Sequence, residues 1–395
     1  MRDSILVSPF GQHTRYLLRS YLLHSFVVLQ GVLFVALTVD VVPQLAKVLS
    51  GASAMSNLGT LKALAWFIVL RSADLMPRFI PLACFLGVLW TEIALTLSRE
   101  RILIWNTGRS PLKCLVPIAF LTIAFGAAQF VFDAFLRPAA MAAQIEEHLG
   151  TYGEQFDRGL SKDQIWMSFR DNVLRARVLF APTPALYDLT LYRLEDGRLR
   201  EVDNARSAVP APLKGYWLLD RGTFWLVPPE STAGSRDGAP EGSETYATAF
   251  ESRQVALTED ALHLSVWGIY PEYLSQRTLR GLIQDATRAD RALFVVRLQT
   301  NYANALMPGA MALLAATLSL MLFAYQAPRY TQFAVLPAGY AGHLAMKTFV
   351  LMGEHEYLNP VVAAWLSPVC LLALSALLLA RTERRRHIAG RAHSG

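Results

Sequence analysis

Hydrophobic positions along the chain fall into two rhythms. Five nearly uninterrupted apolar stretches, at residues 16–39, 75–97, 112–136, 303–325 and 358–380, reach or approach the roughly 20 residues that a helix needs to cross a hydrocarbon core. A sixth, at 333–352, carries His343 and Lys347 but is otherwise largely apolar or small. Between the third and fourth stretches, over residues 144–300, the rhythm shortens to an alternation broken by Gly, Pro and the pair Asp196-Gly197. Residues 164–169, 173–180, 186–194, 215–219 and 223–227 read as strands there. Asp-Gly predicts a hairpin turn, because glycine accepts the positive φ such turns demand. Residues 228–244, rich in Pro, Gly and Ser, read as a loop, and 271–298 as an amphipathic helix leading back to the apolar part.

Composition turns this pattern into a class. A chain of 395 residues that is 53% hydrophobic and only 17% charged, with mean hydropathy +0.30, is too apolar for an ordinary soluble domain. The net charge of +6 follows arginines set beside the apolar stretches, and no basic-aromatic module accompanies it, so it points to membrane orientation rather than nucleic acid. Arg2, Arg15 and Arg19 precede the first span; Arg99, Arg101, Arg109 and Lys113 separate the second and third; Arg329 separates the fourth and fifth; Arg381, Arg384, Arg385, Arg386 and Arg391 follow the sixth. A six-span topology puts every one of them inside, with both termini cytoplasmic. The expected fold is an α-helical membrane protein with six transmembrane helices and an inserted all-β jelly-roll domain on the outer side. Its parts are an N-terminal transmembrane half over 1–143, a β domain over 144–268, and a linker helix, C-terminal half and basic tail over 269–395. The first apolar run is too long for a cleaved signal peptide and is expected to stay. Cys84, Cys114 and Cys370, far apart in apolar stretches, read as small buried hydrophobes, with no disulfide framework or metal site.

Candidate chemistry concentrates in the charged, amphipathic island near 98–110. Glu100 stands near the start of a short helix, where a carboxylate favours the positive helix end. Ile102, Leu103, Ile104 and Trp105 offer an apolar anchor, flanked by Arg99 and Arg101. No Gly-x4-Gly-Lys-Ser/Thr loop occurs, so the chain lacks the usual cradle for ATP. Energy must come from a partner. His24, Glu92, His343, Glu354 and Glu356 form no recognisable catalytic set, so an enzyme is not expected.

Glu100 followed by Gly108 and Ser110, Val255-Ala256-Leu257 followed by Asp260-Ala261-Leu262, and Pro360-Val361-Val362-Ala363-Ala364-Trp365 together resemble the LptF/LptG family of lipopolysaccharide-export permeases, with a lean towards LptG. The resemblance implies a bacterial inner-membrane half-transporter with a periplasmic jelly roll of the β-taco kind. It also implies an LptF-like companion, an LptB-like ATPase dimer that binds the ATP and Mg, an LptC-like membrane protein and an LptA-like periplasmic bridge. Lipopolysaccharide would leave the outer leaflet of the inner membrane through a cavity between the two half-transporters. Arg99, Glu100, Arg101, Ile102, Leu103, Ile104, Trp105 and Gly108 would make the ATPase contact. Lipid A carries acyl chains and phosphates, so cations near the outer membrane edge become substrate candidates: Lys47, Arg71 or Arg78, Arg137 and Lys347. Gly339 and Gly342 fall in the fifth span, which in this family forms a lateral gate, and their small-residue face permits close helix approach. Two positions depart from the pattern. Asp40 stands where a lysine is usual and would repel phosphate unless paired, with Lys47 as its substitute; Glu92 has no family counterpart. The competing reading is a mechanical ABC-coupled membrane subunit without its own lipid cavity, an architecture that usually has four spans.

Overall fold

The computed structural model describes residues 11–45, 57–106, 115–155, 159–161, 163–169, 172–180, 183–195, 197–213, 215–226, 247–257, 261–284, 290–324 and 329–392. Arg2, Lys47, Gly108, Arg109, Ser110, Lys113, Cys114, Asp196, the 228–244 loop and Asp260 lie outside these residues, as do the side chains of Ile104 and Trp105. The chain divides into two compact units, Met1–Glu154 with Tyr270–Gly395, and Gln155–Ile269.

The first unit is helical. Helix α1, Gln12–Val41, buries Leu17, Tyr21, Ser25, Leu29 and Leu33, one residue per turn. Its other faces expose Leu23, Phe26, Phe34, Val35 and Val39, so the helix is apolar nearly all round, as a membrane helix is. Helix α2, Asn57–Leu97, is 41 residues long, roughly 60 Å, and carries Pro77 and Pro81 inside it. It lies tight against α1, because a Cβ on Gly87 would collide with the Ser25 backbone. After the short helix α3, Glu100–Asn106, come α4, Val116–Val131, a π-turn at Phe132–Leu136, α5, Arg137–Glu146, and α6, Gly150–Gln155. Beyond the second unit, a 3-10 turn at Pro271–Tyr273 and α8, Gln276–Ile283, lead to α9, Arg291–Ala303, α10, Met307–Ala324, α11, Leu336–Glu354, and α12, Pro360–Ala392. Helix α10 lies deep in the bundle: Met307, Ala310, Met311, Ala312, Ala315 and Ala316 are all inaccessible and pack with Leu17, Tyr21, Phe85 and Val88.

Among the described residues, five segments are long and apolar enough to cross a membrane: Gln12–Gln44, Leu61–Leu97, Val116–Glu146, Arg291–Phe323 and Pro360–Arg384. The sixth predicted stretch forms the helix α11, 19 residues long, which is not among these five; His343 and Lys347 sit in its middle. The predicted 271–298 helix is divided into the 3-10 turn, α8 and the start of α9.

The second unit is a six-stranded antiparallel sheet in simple meander order: β1, Ile165–Phe169, β2, Asn172–Leu179, β3, Ala185–Glu195, β4, Arg198–Pro210, β5, Tyr216–Leu226, and β6, Thr248–Ala256. Each strand bonds to its neighbours in the chain, without the crossovers that Greek keys introduce. All six strands send side chains into one core: Met167, Leu174, Leu186, Leu189, Ala205, Trp217, Leu219 and Val255, closed by Leu264 of α7, Ala261–Val266. The β3–β4 hairpin turns at Gly197, φ 74°, as the Asp-Gly signal predicted.

The runs 215–219 and 223–227, read as two strands, are one strand bent at Arg221, φ 44°. On β3, Asp188 has φ 52°, and the inward set changes phase there, from Leu186 to Leu189 and Leu191. Asp188, Arg206 and Arg221 fall in line across the ladder, so one crease crosses three strands. At one end of the core the inward positions turn polar. Asp203 and Glu201 on β4 are buried and accept Arg253 of β6 at 2.6 and 2.5 Å, while Arg193 of β3 reaches Glu201 at 2.8 Å. Burial first, and then the Glu201 charge, raise the Asp203 carboxyl above its usual range, opposed by Arg253 and Arg193.

Candidate functional site

Two charged clusters occupy opposite halves of α2. At its C-terminal end Arg99 takes a left-handed conformation, φ 63°, which stops α2 and lets α3 start at Glu100. The Tyr16 hydroxyl of α1 donates to Glu100 at 3.1 Å. Arg101 turns inward: it pairs with Glu92 of α2, both side chains being only 2% exposed, and the Tyr21 hydroxyl donates to the same carboxylate. Beside this joint the His24 ring stacks on Trp90 and meets the Thr91 hydroxyl at 2.9 Å. Ile102 and Leu103 point outward, 46% and 67% exposed, with Arg99 exposed beside them. Of the predicted docking residues, Arg99, Ile102 and Leu103 therefore form an accessible face, and Arg101 instead ties α3 to the bundle. Glu92, which had no role in the sequence reading, is its partner.

The N-terminal half of α2 carries Arg71, Asp74 and Arg78 on one face, at the i, i+3 and i+7 positions of a helix. Arg71 grips Asp40 of α1 with two contacts of 2.6 Å and lies over the Tyr152 ring. Asp40 is thus neutralised, so it does not present free negative charge. Asp74 is sealed and accepts Arg71 at 3.3 Å, Arg78 at 3.1 Å and Arg137 at 2.9 Å. Arg137 begins α5, directly after the π-turn, and that turn also aims Asp133 inward. Asp133 takes Gln129 at 2.7 Å and Asn304 at 2.9 Å, with Arg297 and Arg137 at 3.7 and 3.8 Å. Gln129 also donates to the Pro77 carbonyl at 3.0 Å. That carbonyl would otherwise be orphaned, because Pro81, four residues on, has no N–H to offer it. From the 3-10 turn, Glu272 reaches Arg137 at 3.1 Å and Arg78 at 3.6 Å. Tyr273 accepts Arg78 at 3.1 Å and shares a 3.0 Å bond with Tyr152. Burial and the Asp74 charge push the Tyr273 phenol up, so it stays neutral.

These groups wall a cavity of about 560 Å³ whose lining includes Arg78, Arg137, Arg297, Lys347, Asp133, Glu272 and Glu354, with Pro77, Pro81, Met346, Val350 and Leu351 as apolar wall. Three of the four predicted substrate cations, Arg78, Arg137 and Lys347, are brought together here. Lys347 lines the cavity without a carboxylate inside 4 Å among the described residues. A profile described as lipopolysaccharide export system permease LptF/LptG matches residues 15–381. The chain belongs to the LptF/LptG family. No curated protein matches it significantly. Membership makes the chain a multi-pass inner-membrane permease of lipopolysaccharide export, and the apolar helices agree with it.

The predicted gate glycines face their own chain. A Cβ on Gly339 would collide with the Phe85 ring, and one on Gly342 would touch Leu371 and Met311 at 3.3 and 3.4 Å. The α11 face that leaves the bundle carries Leu336, Tyr340, Leu344 and Leu351. Sequence reading misses Asp74, Gln129, Asp133, Glu272 and Arg297. The signals are present for Asp133, an acid inside the apolar run 112–136, and for the paired prolines of α2.

Proposed function

We propose that the chain is one half-transporter of an ATP-driven lipopolysaccharide exporter, paired with an LptF-like companion if it is the LptG-like chain, and with LptC-like and LptA-like partners. In this reading α11 is a sixth, polar span, both termini are cytoplasmic, and the sheet unit stands in the periplasm as a meander curled along its crease into a taco-like jelly roll. An LptB-like ATPase, holding ATP and Mg, docks on Glu100, Ile102 and Leu103. The Arg101–Glu92–Tyr21 joint passes its movement into α1 and α2, because a sealed ion pair resists separation more than an apolar contact does.

The observation that carries the reading is the cation-lined cavity. It lies roughly 30 Å along α2 from α3, about one hydrocarbon thickness, so it falls near the opposite membrane face. Four cations at such a depth suit a phosphorylated lipid headgroup, while Val350, Leu351 and Met346 suit its acyl chains. A purely mechanical coupling subunit has no use for such a cavity.

Two measurements test this. Glu100→Ala is expected to lose ATPase co-purification and transport while the chain remains inserted; persistent coupling would remove α3 from the docking role. A photocrosslinking residue at Lys347 is expected to capture lipopolysaccharide. Failure there, beside positive controls on α1, would return Lys347 to a structural role.

A further inference from the structure

We infer that a groove between α1 and α4 is a binding site for an anionic phospholipid of the membrane leaflet on the α3 side. Its α1 wall is one helical stripe, in which Arg15 and Arg19 are followed by Leu22, Leu23 and Phe26. Facing it, Ala124 and Ala128 stand one turn apart on α4 and are too short to fill the space, which amounts to about 640 Å³. The groove opens to the surroundings of the bundle, because Leu23 and Phe26 are more than half exposed and both arginines are exposed. Its charged end lies level with α3: Tyr16, between the two arginines in the chain, donates to Glu100. No residue lines both this groove and the cation-lined cavity, so the site stands independently of the lipopolysaccharide reading.

Dimensions and charge identify the occupant. From Arg15 to Phe26 the stripe runs roughly 17 Å along α1, about half of a hydrocarbon core and so one leaflet deep. Spread over that length, the volume leaves a channel roughly 7 Å across, narrower than the ~10–12 Å of a helix with its side chains and wide enough for an acyl chain. Beyond the two arginines the wall is apolar throughout, as a lipid tail requires. Arg15 and Arg19 are one turn apart, so both guanidiniums reach a single phosphate. Among the described residues neither meets a carboxylate within 4 Å. An anionic headgroup supplies the missing charge. A zwitterionic headgroup brings its own ammonium beside the arginines and gains less.

The test uses the full-length chain, purified with the subunits that accompany it, in phosphatidylcholine nanodiscs containing a minor share of phosphatidylglycerol or of phosphatidylethanolamine. A photocrosslinking residue replaces Leu23 inside the groove, and in a control replaces Ile123, which is 68% exposed on α4 and outside the groove lining. From Leu23, phosphatidylglycerol is expected to be captured far beyond its share of the bilayer and phosphatidylethanolamine in proportion to it; from Ile123, both in proportion. Arg15→Gln or Arg19→Gln should each lower the phosphatidylglycerol enrichment about fivefold, and the double change should remove it. Ala124→Leu with Ala128→Leu fills the groove and keeps the arginines, and should also remove the enrichment. Proportional capture of both lipids from Leu23 in the parent would mean ordinary bilayer contact and overturn the site. Enrichment that survives the loss of both arginines would overturn the headgroup assignment, and enrichment that survives the filled groove would overturn the acyl-chain assignment. Capture of a neighbouring subunit at Leu23 in place of lipid would give the groove to a protein helix and overturn the proposal.

Discussion

The two ends of α2 bury charge in opposite ways. At one end Glu92 and Arg101 are sealed together under Tyr21, both side chains only 2% exposed. At the other, Arg78 and Arg137 share Asp74 and Glu272 around about 560 Å³ of space, and Lys347 waits across it. Both arrangements satisfy the rule that charge inside a membrane helix must be neutralised. They differ in whether a partner can be exchanged. A sealed pair has one stable state and acts as a joint. A cation cluster around open space, with one carboxylate, Glu272, 38% exposed, is able to trade that carboxylate for another anion.

The largest expected effect is at the sealed pair. Glu92→Ala removes the carboxylate that pairs with Arg101 inside the bundle, and should cost about 3–5 kcal/mol. The outcome would appear as a lowered denaturation midpoint of the purified complex and as proteolysis at α3. The double change Glu92→Leu with Arg101→Met removes both charges and should recover most of that stability, because apolar replacements of a buried pair are often neutral. Recovered stability with coupling still lost would identify the pair as a transmission joint. A harmless Glu92→Ala would erase the contrast between the two ends.

The next effect lies beside the cavity. Gln129→Leu strips the Pro77 carbonyl and Asp133 of a donor and should cost about 1–3 kcal/mol. Restoring proline's missing donor by Pro81→Ala in the same chain should return part of the loss, since an alanine there offers its N–H to the Pro77 carbonyl. A Gln129→Leu effect that Pro81→Ala leaves untouched would show that Asp133, not the helix break, needs the amide.

The same contrast explains what is legible in the sequence. Charges inside or beside apolar runs stand out, so Arg78, Arg137 and Lys347 are evident, although not the carboxylates that hold the two arginines. Those partners arrive from distant elements: Glu272 and Asp74 meet the same arginines although a whole β unit stands between them in the chain. Arg101 reads as a docking residue because a seven-residue helix gives too few turns for its covered face to show as a period. Strands β4 and β6 escape the sequence reading. Their inward positions include Glu201 and Asp203, which break the apolar alternation, and the arginine that compensates them lies 50 residues on. Nor does the single strand β5 read as one, since Asp220 and Arg221 at its bend resemble a turn. The spacing of Gly339 and Gly342 correctly indicates close helix approach, but spacing carries no information on which neighbour approaches, and here it is Phe85, Met311 and Leu371 of the same chain.

The smallest effect on stability, and the sharpest test of the comparison, is Lys347→Met. Methionine keeps the length of the stem and fits a wall already made of Met346, Val350 and Leu351. Among the described residues no carboxylate is left without its partner by the change, so the denaturation midpoint should move by no more than the equivalent of about 0.5 kcal/mol. Lipid capture by a photocrosslinking residue at Leu351, which lines the cavity, should nevertheless fall several-fold, with a shallower dependence on salt, because one of the four cations is gone. A group whose removal leaves the fold untouched yet weakens lipid capture is held for the ligand. Stability lost in proportion to capture would place Lys347 with Glu92 and Arg101, as charge that serves the bundle.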